Sequence, residues 1–421
     1  MGEKGVSEPK NYLHRQLGLP EFEVVKRQES ADGNVLYTVI PKEEIRVCPN
    51  CGGKLHIHKK VQRKIKDLDE FGKRVGILAR VTYYRCQKCG ASVQPEFPSL
   101  YKQMTRRLAE AITYDSYRNT TFTEVAKKHH VSISTVQQLF EEHGNECWEQ
   151  YHFVAPRVLG IDEVHLNNAY YGVFIRVDKN DGRIIELSEE RTKKAVIEVL
   201  QRMEQPENLQ YVTMDMWGAY RDAVHYVFPN TPIIIDHFHV VKELIKCLDK
   251  VRSDTCKAVV NVKERKSLKR NRYLLLSNGD GLSPSYAREL KALLEAYPQF
   301  KTPYYLKESF RNIFDFAKSK NEALQLYDEW CKECKKSNVT AYDSFIDTVN
   351  NWQEEIFAYF DYDGPDRTNA QTESFNRCIR SVARDGRGYS FENLRTKMIF
   401  RVKEQSSTRF DFESFLLEEE K

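Results

Sequence analysis

The chain has 421 residues, a formal net charge of +4, 30% charged residues and 41% hydrophobic residues. That length is enough for about two to four domains and excludes a single small module; with a mean hydropathy of -0.62, no apolar run approaches the roughly 20 residues of a bilayer-spanning helix. The N-terminus lacks the basic-then-apolar pattern of a secretory signal, so we expect a cytoplasmic protein with reduced cysteines and no membrane partner.

Residues 1–104 are predicted to form a small β-rich module. Residues 35–40 and 76–86 alternate in hydrophobicity, as strands with one buried face do. Beyond residue 104 the hydrophobic period becomes that of helices, and three short helices are expected over residues 105–150.

Two CxxC pairs, each followed by glycine, lie in the first module: Cys48 with Cys51, and Cys86 with Cys89. Thiolates on such tight turns can face one ion, so the pairs favour one structural Zn2+ held tetrahedrally by four sulfurs. The 34 residues between the pairs exceed the common spacing of a zinc ribbon. Two unrelated surface turns therefore remain an alternative, and a redox pair is a weaker one.

Residues 105–150 are interpreted as a helix-turn-helix DNA-binding domain. Thr121 with Glu124, and Ser134 with Gln137, have capping-box spacing and predict two helix starts. The second helix would offer short polar groups to phosphates and base edges in a major groove; the candidates are Ser134, Thr135, Gln137 and Gln138. Any compact three-helix bundle shows such caps, so a bundle without a DNA-binding role stays open.

The remainder predicts a multidomain α/β protein. Strands and helices alternate over residues 151–237, which is typical of an α/β sheet. Residues 238–360 carry almost no strand pattern and predict a helical insertion, and residues 361–421 break and then restart as a helix. The aromatic residues of the insertion are interpreted as core and not as a base-stacking platform; they include Tyr304, Tyr305, Phe310, Phe314, Phe316, Trp330 and Trp352. A further pair, Cys331 and Cys334, is interpreted as two helix-surface cysteines.

Acidic residues at strand ends suggest a metal site in the sheet. Asp162 follows an apolar strand, and Asp215 ends the strand at residues 211–214. Carboxylate oxygens suit Mg2+, and two such ions can activate an attacking oxygen and neutralise a leaving one. Glu373 is the best third acid, and its helix carries groups that could hold phosphates, namely Asn369, Asn376, Arg377 and Arg380.

Asp236, which ends a strand and precedes His237 and His239, is the rival of Glu373 for the third position. Taken singly, each of these acids is more typical of an exposed strand end or a helix cap than of a metal ligand. The pattern as a whole is needed to favour a site.

After the double CxxC module and the paired helices come GIDE at residues 160–163, DMWGAY at 215–220, FPNTPIIIDHFHVVK at 228–242, and TNAQTESFNRCIRSVARDGRGYSFENLR from residue 368. The order of these motifs closely resembles the ISL-three family of bacterial insertion-sequence transposases over nearly the whole chain. The family pattern has glycine directly after the asparagine and after the glutamate, where this sequence has Ala370 and Ser374.

The resemblance implies a ribonuclease-H-like catalytic domain, interrupted by a helical insertion, with an Asp-Asp-Glu triad of Asp162, Asp215 and Glu373. It implies an enzyme that binds terminal inverted repeats and carries out Mg2+-dependent cleavage and strand transfer of double-stranded DNA, assembled on DNA as a homodimer or larger. Arg377, Arg380 and the basic run 263–272 would neutralise phosphates. A catalytically silent DNA-binding regulator and a general ribonuclease-H-like nuclease are the alternatives.

Overall fold

A computed structural model of the chain describes residues 17–362, 370–386 and 388–401. Two compact units emerge: the first holds the described residues up to Gln150 with short pieces at 385–388 and 400–401, and the second holds Tyr151–Arg384 and Tyr389–Ile399 as far as they are described. Within the described ranges, no helix combines the length and apolar character that crossing a bilayer requires.

The first unit is built on a seven-stranded sheet in the order β1-β2-β4-β3-β7-β6, with β5 paired to β4. In β4, Val75, Ile77, Ala79 and Val81 alternate inward and are all buried, as the period of two predicts. The two alternating segments expected from the sequence are thus confirmed as strands. The strands are β1 (Phe22–Glu29), β2 (Val35–Pro41), β3 (Leu55–Lys66), β4 (Val75–Cys86), β5 (Ser92–Val93), β6 (Leu100–Tyr101) and β7 (Met104–Thr105).

Three helices follow the sheet strands between residues 106 and 149: α1 (Arg106–Ser116), α2 (Phe122–Lys128) and α3 (Ile133–Glu149). The predicted capping box of Thr121 and Glu124 is confirmed, with both reciprocal hydrogen bonds present. The second predicted start is wrong, because Ser132 caps α3 by accepting from the Thr135 amide, and Ser134 lies inside the first turn. Ser132 offers the same short hydroxyl two positions earlier and has the extended backbone that a cap requires.

The end of α2 is fastened to α1 by a nearly buried carboxylate. Asp115 accepts hydrogen bonds of 2.7 Å from both Lys128 and His129. Burial alone would raise the pKa of Asp115, but these two partners outweigh it and lower the pKa below its usual value. This contact joins α1 to the end of α2 through charge as well as through apolar packing.

A five-stranded sheet in the order β10-β9-β8-β11-β12 organises the second unit. Strands β8, β11 and β12 are parallel to one another, whereas β9 runs antiparallel to both β8 and β10. Helices α4 (Lys193–Gln201) and α5 (Gly218–Val227) follow β10 and β11. The strands are β8 (Val158–Leu166), β9 (Ala169–Arg176), β10 (Arg183–Ser188), β11 (Tyr211–Met214) and β12 (Ile233–Ile235).

Every regular element between residues 237 and 360 is helical, as expected from the missing strand pattern. Helices α10–α13 share one continuous core with a face of the sheet, whereas α7–α9 pack around a separate small core. The helices are α6 (His237–Ala258), α7 (Val262–Arg270), α8 (Arg272–Leu276), α9 (Pro284–Ala296), α10 (Lys301–Phe316), α11 (Lys320–Lys336), α12 (Asp343–Asn351) and α13 (Gln353–Phe357).

Most aromatic residues of this helical region belong to the core, as the sequence suggested. Phe310, Trp330 and Trp352 are buried, whereas Tyr305 and Phe316 are exposed. The interpretation of the CxxC pair in α11 as surface cysteines is wrong for Cys334, which is 2% exposed. Cys334 lies on the apolar stripe of α11 and packs in the core shared with the sheet.

The opposite face of the sheet is covered by α14 (Ala370–Gly386) and α15 (Phe391–Ile399). A fully buried carboxylate, Glu186 in β10, accepts two hydrogen bonds from Arg395 of α15, at 2.6 and 2.7 Å, and one of 2.7 Å from Arg202 after α4. The sheet is the middle layer of three, and β8 is buried on both faces over residues 158–162.

Candidate functional site

The four cysteines predicted to bind zinc lie together at one end of the first unit. The Cys48 and Cys89 sulfurs are 3.7 Å apart, and the Cys51 and Cys86 sulfurs are 3.5 Å apart. Four Zn–S bonds of ~2.3 Å in a tetrahedron would put the sulfurs about 3.8 Å apart. Within the described ranges, this is the one set of three or more His, Cys, Asp or Glu residues whose ligand atoms all lie within 4.8 Å of one another.

The two CxxC turns have the same backbone form. Gly52 and Gly90, which directly follow the pairs, adopt positive φ angles of 67° and 72°, a region that glycine enters without steric cost. Amides of Lys88 and Cys89 point at the Cys86 sulfur, and hydrogen bonds from the backbone lower the pKa of that thiol to about 6. The second turn therefore favours the thiolate form of Cys86, which is the form that binds Zn2+.

In the second unit, sheet register brings two predicted acids side by side. Met214 of β11 pairs with Ile161 of β8, so the residues that follow, Asp215 and Asp162, are neighbours across the two parallel strands. Both line a cavity of about 170 Å3. The described lining residues do not include Glu373; they are Asp162, Glu163, Asp215, Met216, Trp217, Tyr220, His239, Lys242 and Glu243.

Asp162 occupies an unfavourable environment for a carboxylate. It is 8% exposed, and burial together with the negative charge of Asp215 raises its pKa to about 7. A hydrogen bond of 2.6 Å from the side-chain amide of Asn376 partly stabilises the ionised form. A divalent cation beside the two aspartates would remove their repulsion, and the donor set of carboxylate oxygens suits such an ion.

Two further residues complete the cavity beside the aspartates. The Nε2 atom of His239 lies 2.9 Å from Asp215; burial opposes protonation, but the bond to Asp215 outweighs it and raises the pKa of His239. The Tyr220 hydroxyl is buried and has no hydrogen-bond partner among the described residues. A buried hydroxyl of this kind is costly unless a ligand or water completes it.

The third acid is less closely placed. Glu373 is exposed in the first turn of α14 and lies three positions before Asn376, so helical spacing puts both on one face. Asp236 follows β12, whose Ile235 pairs with Met214, and caps α6 by accepting from the Phe238 amide. Asp236 therefore has a local structural task at the start of α6.

The predicted DNA-contacting residues are mostly exposed. Ser134, Gln137 and Gln138 are exposed on α3, while Thr135 is half-buried and lies 2.8 Å from the Ser132 hydroxyl. Arg377 and Arg380 are exposed on α14.

Asn376, which was predicted to hold a phosphate, is only 4% exposed, and its side-chain amide donates a hydrogen bond to Asp162 instead. Asn369 lies outside the described residues.

Sequence reasoning missed three residues around the cavity. Trp217 and Tyr220 are both in the DMWGAY motif, two and five positions after Asp215 respectively, and that proximity was the available signal. Arg191 had no signal, because only the fold brings it to within 2.6 Å of the Glu163 carboxylate.

Comparison with known proteins gives the class of the chain. Residues 45–89 match the family model described as the zinc-finger of transposase IS204/IS1001/IS1096/IS1165, and residues 159–398 match the ISL3 model of DDE transposases, described as Transposase. The cysteine site and the acidic cavity lie in these two regions. The chain therefore belongs to the ISL3 family of insertion-sequence DDE transposases, and its first unit contains the zinc finger of that family.

Curated relatives agree with this family. The transposase for insertion sequence element IS1001 of Bordetella parapertussis is 23% identical over 356 residues, which cover 83% of this chain and 86% of the relative. The transposase for insertion sequence element IS1557 of Mycobacterium tuberculosis (strain H37Rv) is 22% identical over 261 residues, 56% of this chain and 58% of the relative. Membership of this family implies an enzyme of DNA cleavage and joining.

Proposed function

We propose that the chain binds the terminal inverted repeats of an insertion sequence and catalyses Mg2+-dependent cleavage and transfer of DNA strands, with Asp162, Asp215 and Glu373 as the catalytic acids. The observation that carries the proposal is the cavity in which Asp162 and Asp215, from adjacent parallel strands, face each other within the family region. The strand order and the single antiparallel strand β9 support a ribonuclease-H-like fold for this sheet.

The acids fit a pair of Mg2+ ions. Asp162 and Asp215 would hold them with Glu373, which lies on the helix face that already reaches Asp162 through Asn376. Bound there, the ions would supply Lewis acidity and lower the cost of forming the attacking oxyanion. The chain itself orients Asp162 through the Asn376 amide and holds Asp215 through His239, so the two carboxylates are fixed before substrate arrives.

Sequence-specific binding is assigned to the first unit. The zinc finger and the α1–α3 bundle, which we interpret as a helix-turn-helix, would bind the repeat. Ser134, Gln137 and Gln138 are exposed on α3 and would contact base edges and phosphates. Arg377 and Arg380 on α14 and the basic helix α7 would neutralise flanking phosphates, which predicts salt-sensitive binding. Two ends must be joined, so at least two copies would assemble on DNA.

The test is cleavage of labelled terminal-repeat duplex with and without Mg2+. Asp162→Asn and Asp215→Asn should bind the duplex like the unchanged protein but cut it about a thousandfold more slowly, since several kcal/mol of charge stabilisation are lost. Asp222→Asn is the matched control, because Asp222 is an exposed carboxylate of α5, with 56% of its side chain accessible.

Cleavage that survives in Asp162→Asn would remove this residue from the site. Tight binding by the unchanged protein with no cutting in Mg2+ would instead favour the catalytically silent regulator. Equal cleavage of unrelated duplex would favour the general nuclease.

A further inference from the structure

A stack of flat side chains runs along the rim of the acidic cavity. The Arg191 guanidinium carbon lies 4.0 Å from the Tyr170 ring centroid and 4.8 Å from the Trp217 ring centroid. The His165 ring continues the row, 4.6 Å from that of Tyr170. Trp217 and Tyr170 keep 42% and 43% of their surface exposed, so an apolar and cationic platform faces solvent.

The platform is held rigidly by the same strand that carries the catalytic acid. His165 pairs directly with Tyr170 across β8 and β9, and Glu163 shares the His165 face of β8 because side chains alternate. Glu163 then anchors Arg191 at 2.6 Å. Fixed geometry of this kind lowers the entropy lost when a flat ligand stacks.

The platform and the cavity are continuous. Glu163 and Trp217 line the cavity that contains Asp162 and Asp215, and Trp217 is only two positions beyond Asp215. A ligand that extends from a phosphate at the aspartates would therefore meet the Trp217 ring next. In a DNA strand, the neighbouring group of that size with a flat face is a nucleobase.

We propose that Trp217, Arg191 and Tyr170 form a stacking site for one unpaired nucleobase adjacent to the phosphate that is cleaved at Asp162 and Asp215. The proposal rests on the proposed function, because it needs a DNA strand in the cavity. Aromatic rings and arginine planes stack on any base, so the site recognises an opened base and not a sequence. A base inside a duplex has no free face, so it must leave the stack to bind.

Stacking at this site would offset the cost of opening the duplex at the cleavage position, since the two energies are of similar size. The opened state would then be well populated with the unchanged protein and poorly populated without Trp217. A mismatch next to the cleaved phosphate removes most of the opening cost. It should therefore rescue a variant that lacks the platform, while giving little gain to the unchanged protein.

The experiment compares cleavage of fully paired and singly mismatched terminal-repeat duplexes in Mg2+. Trp217→Ala should cut the paired duplex roughly 10- to 100-fold more slowly, the change that corresponds to one lost base stack, and should recover most of that loss on the mismatched duplex. Trp217→Phe, which keeps an aromatic ring, should lose less of the rate on the paired duplex than Trp217→Ala does. Tyr226→Ala is the matched control, because Tyr226 is a 67% exposed aromatic residue of α5, the helix that begins directly after Trp217.

Arg191→Lys keeps the charge beside Glu163 but loses the planar group. Its cleavage rate should also recover on the mismatched duplex, so this variant tests the proposal if Trp217→Ala fails to fold. Equal rates for Trp217→Ala and unchanged protein on paired DNA would overturn the stacking site, as would equal losses on paired and mismatched DNA in both variants. These results would leave the proposed function intact if the unchanged protein cleaves and Asp162→Asn does not. If the unchanged protein cuts neither duplex, both proposals fail.

Discussion

The cysteine site and the acidic cavity differ in the sequence separation of the residues that form them. Each half of the cysteine site is one CxxC turn, and the β3–β4 hairpin joins the halves by pairing Leu55 with Cys86. Asp162 instead meets Asp215 through the register of two non-consecutive strands, and Asn376 through a helix more than 200 residues further on. Local spacing is therefore enough to form the first site, whereas the second exists only after the sheet has formed.

The two regions also differ in whether their local structure depends on a bound cation. Four sulfurs within 4.8 Å of one another need an ion to hold turns that have little apolar core around them. The aspartates of the cavity sit on a sheet buried on both faces, so the sheet does not depend on an ion. This contrast leads to four predictions, in order of decreasing effect.

Removal of zinc should unfold the CxxC turns and leave the acidic cavity intact. Cys51→Ser should lower the zinc content of the purified protein and destabilise the first unit, because binding of structural zinc contributes about 10–16 kcal/mol in zinc-finger peptides. End-DNA binding should fall with it. Zinc analysis, circular dichroism and a binding assay measure the effect, with Cys147→Ser, outside the four, as the control. Full zinc occupancy in Cys51→Ser would contradict the four-sulfur site.

Comparison of Glu373→Gln with Asp236→Asn tests which of the two residues is the third catalytic acid beside Asp162 and Asp215. Glu373→Gln should slow cleavage about a thousandfold, which is about 4 kcal/mol. Asp236→Asn should slow it less than about tenfold, because asparagine also caps helices and so preserves the start of α6. Single-turnover cleavage of terminal-repeat duplex gives both rates. The reverse order would transfer the third catalytic position to Asp236.

Glu186→Ala should weaken the sheet that carries the cavity. The change leaves Arg395, whose side chain is 15% exposed, without the carboxylate that accepts two of its hydrogen bonds. Breaking a buried pair of this kind costs about 3–5 kcal/mol, measured as the free energy of unfolding in urea. Glu198→Ala, in an exposed pair with Lys194, should change it by less than about 1 kcal/mol. A small effect at Glu186 would mean that the packing on both faces suffices without this contact.

Asp115→Asn should give a smaller, pH-dependent loss in the first unit, about 1–3 kcal/mol. Since the folded pKa of Asp115 is lowered, its stabilisation is present above the unfolded value of about 3.9 and is lost as pH falls through the folded value. The variant should therefore differ most from the unchanged protein near neutral pH and converge with it in acid. Urea midpoints across that range, with Glu110→Gln as an exposed control, test this. A constant difference at all pH values would exclude the charge as its cause.

The sequence could predict the parts of the fold that depend on near neighbours. Alternation identified β2 and β4, and the spacing of Thr121 and Glu124 identified the start of α2. The same logic was wrong at Ser134, because Ser132 offered an equivalent hydroxyl and the spacing alone could not rank the two. Cys334 was also misjudged, since a helical CxxC pattern does not say which face of α11 the core covers.

What the sequence by itself determined is the zinc finger and the positions of the aspartates at strand ends, because a tight turn and the end of an apolar run are set by residues next to one another. The tertiary structure alone decided that Asn376 bonds Asp162, that His239 bonds Asp215, and that Arg191 stacks on the rings of Tyr170 and Trp217. These partners come from separate strands, helices and loops. The distances between these side chains depend on strand register and helix packing, and the local spacing of residues in the sequence predicts neither.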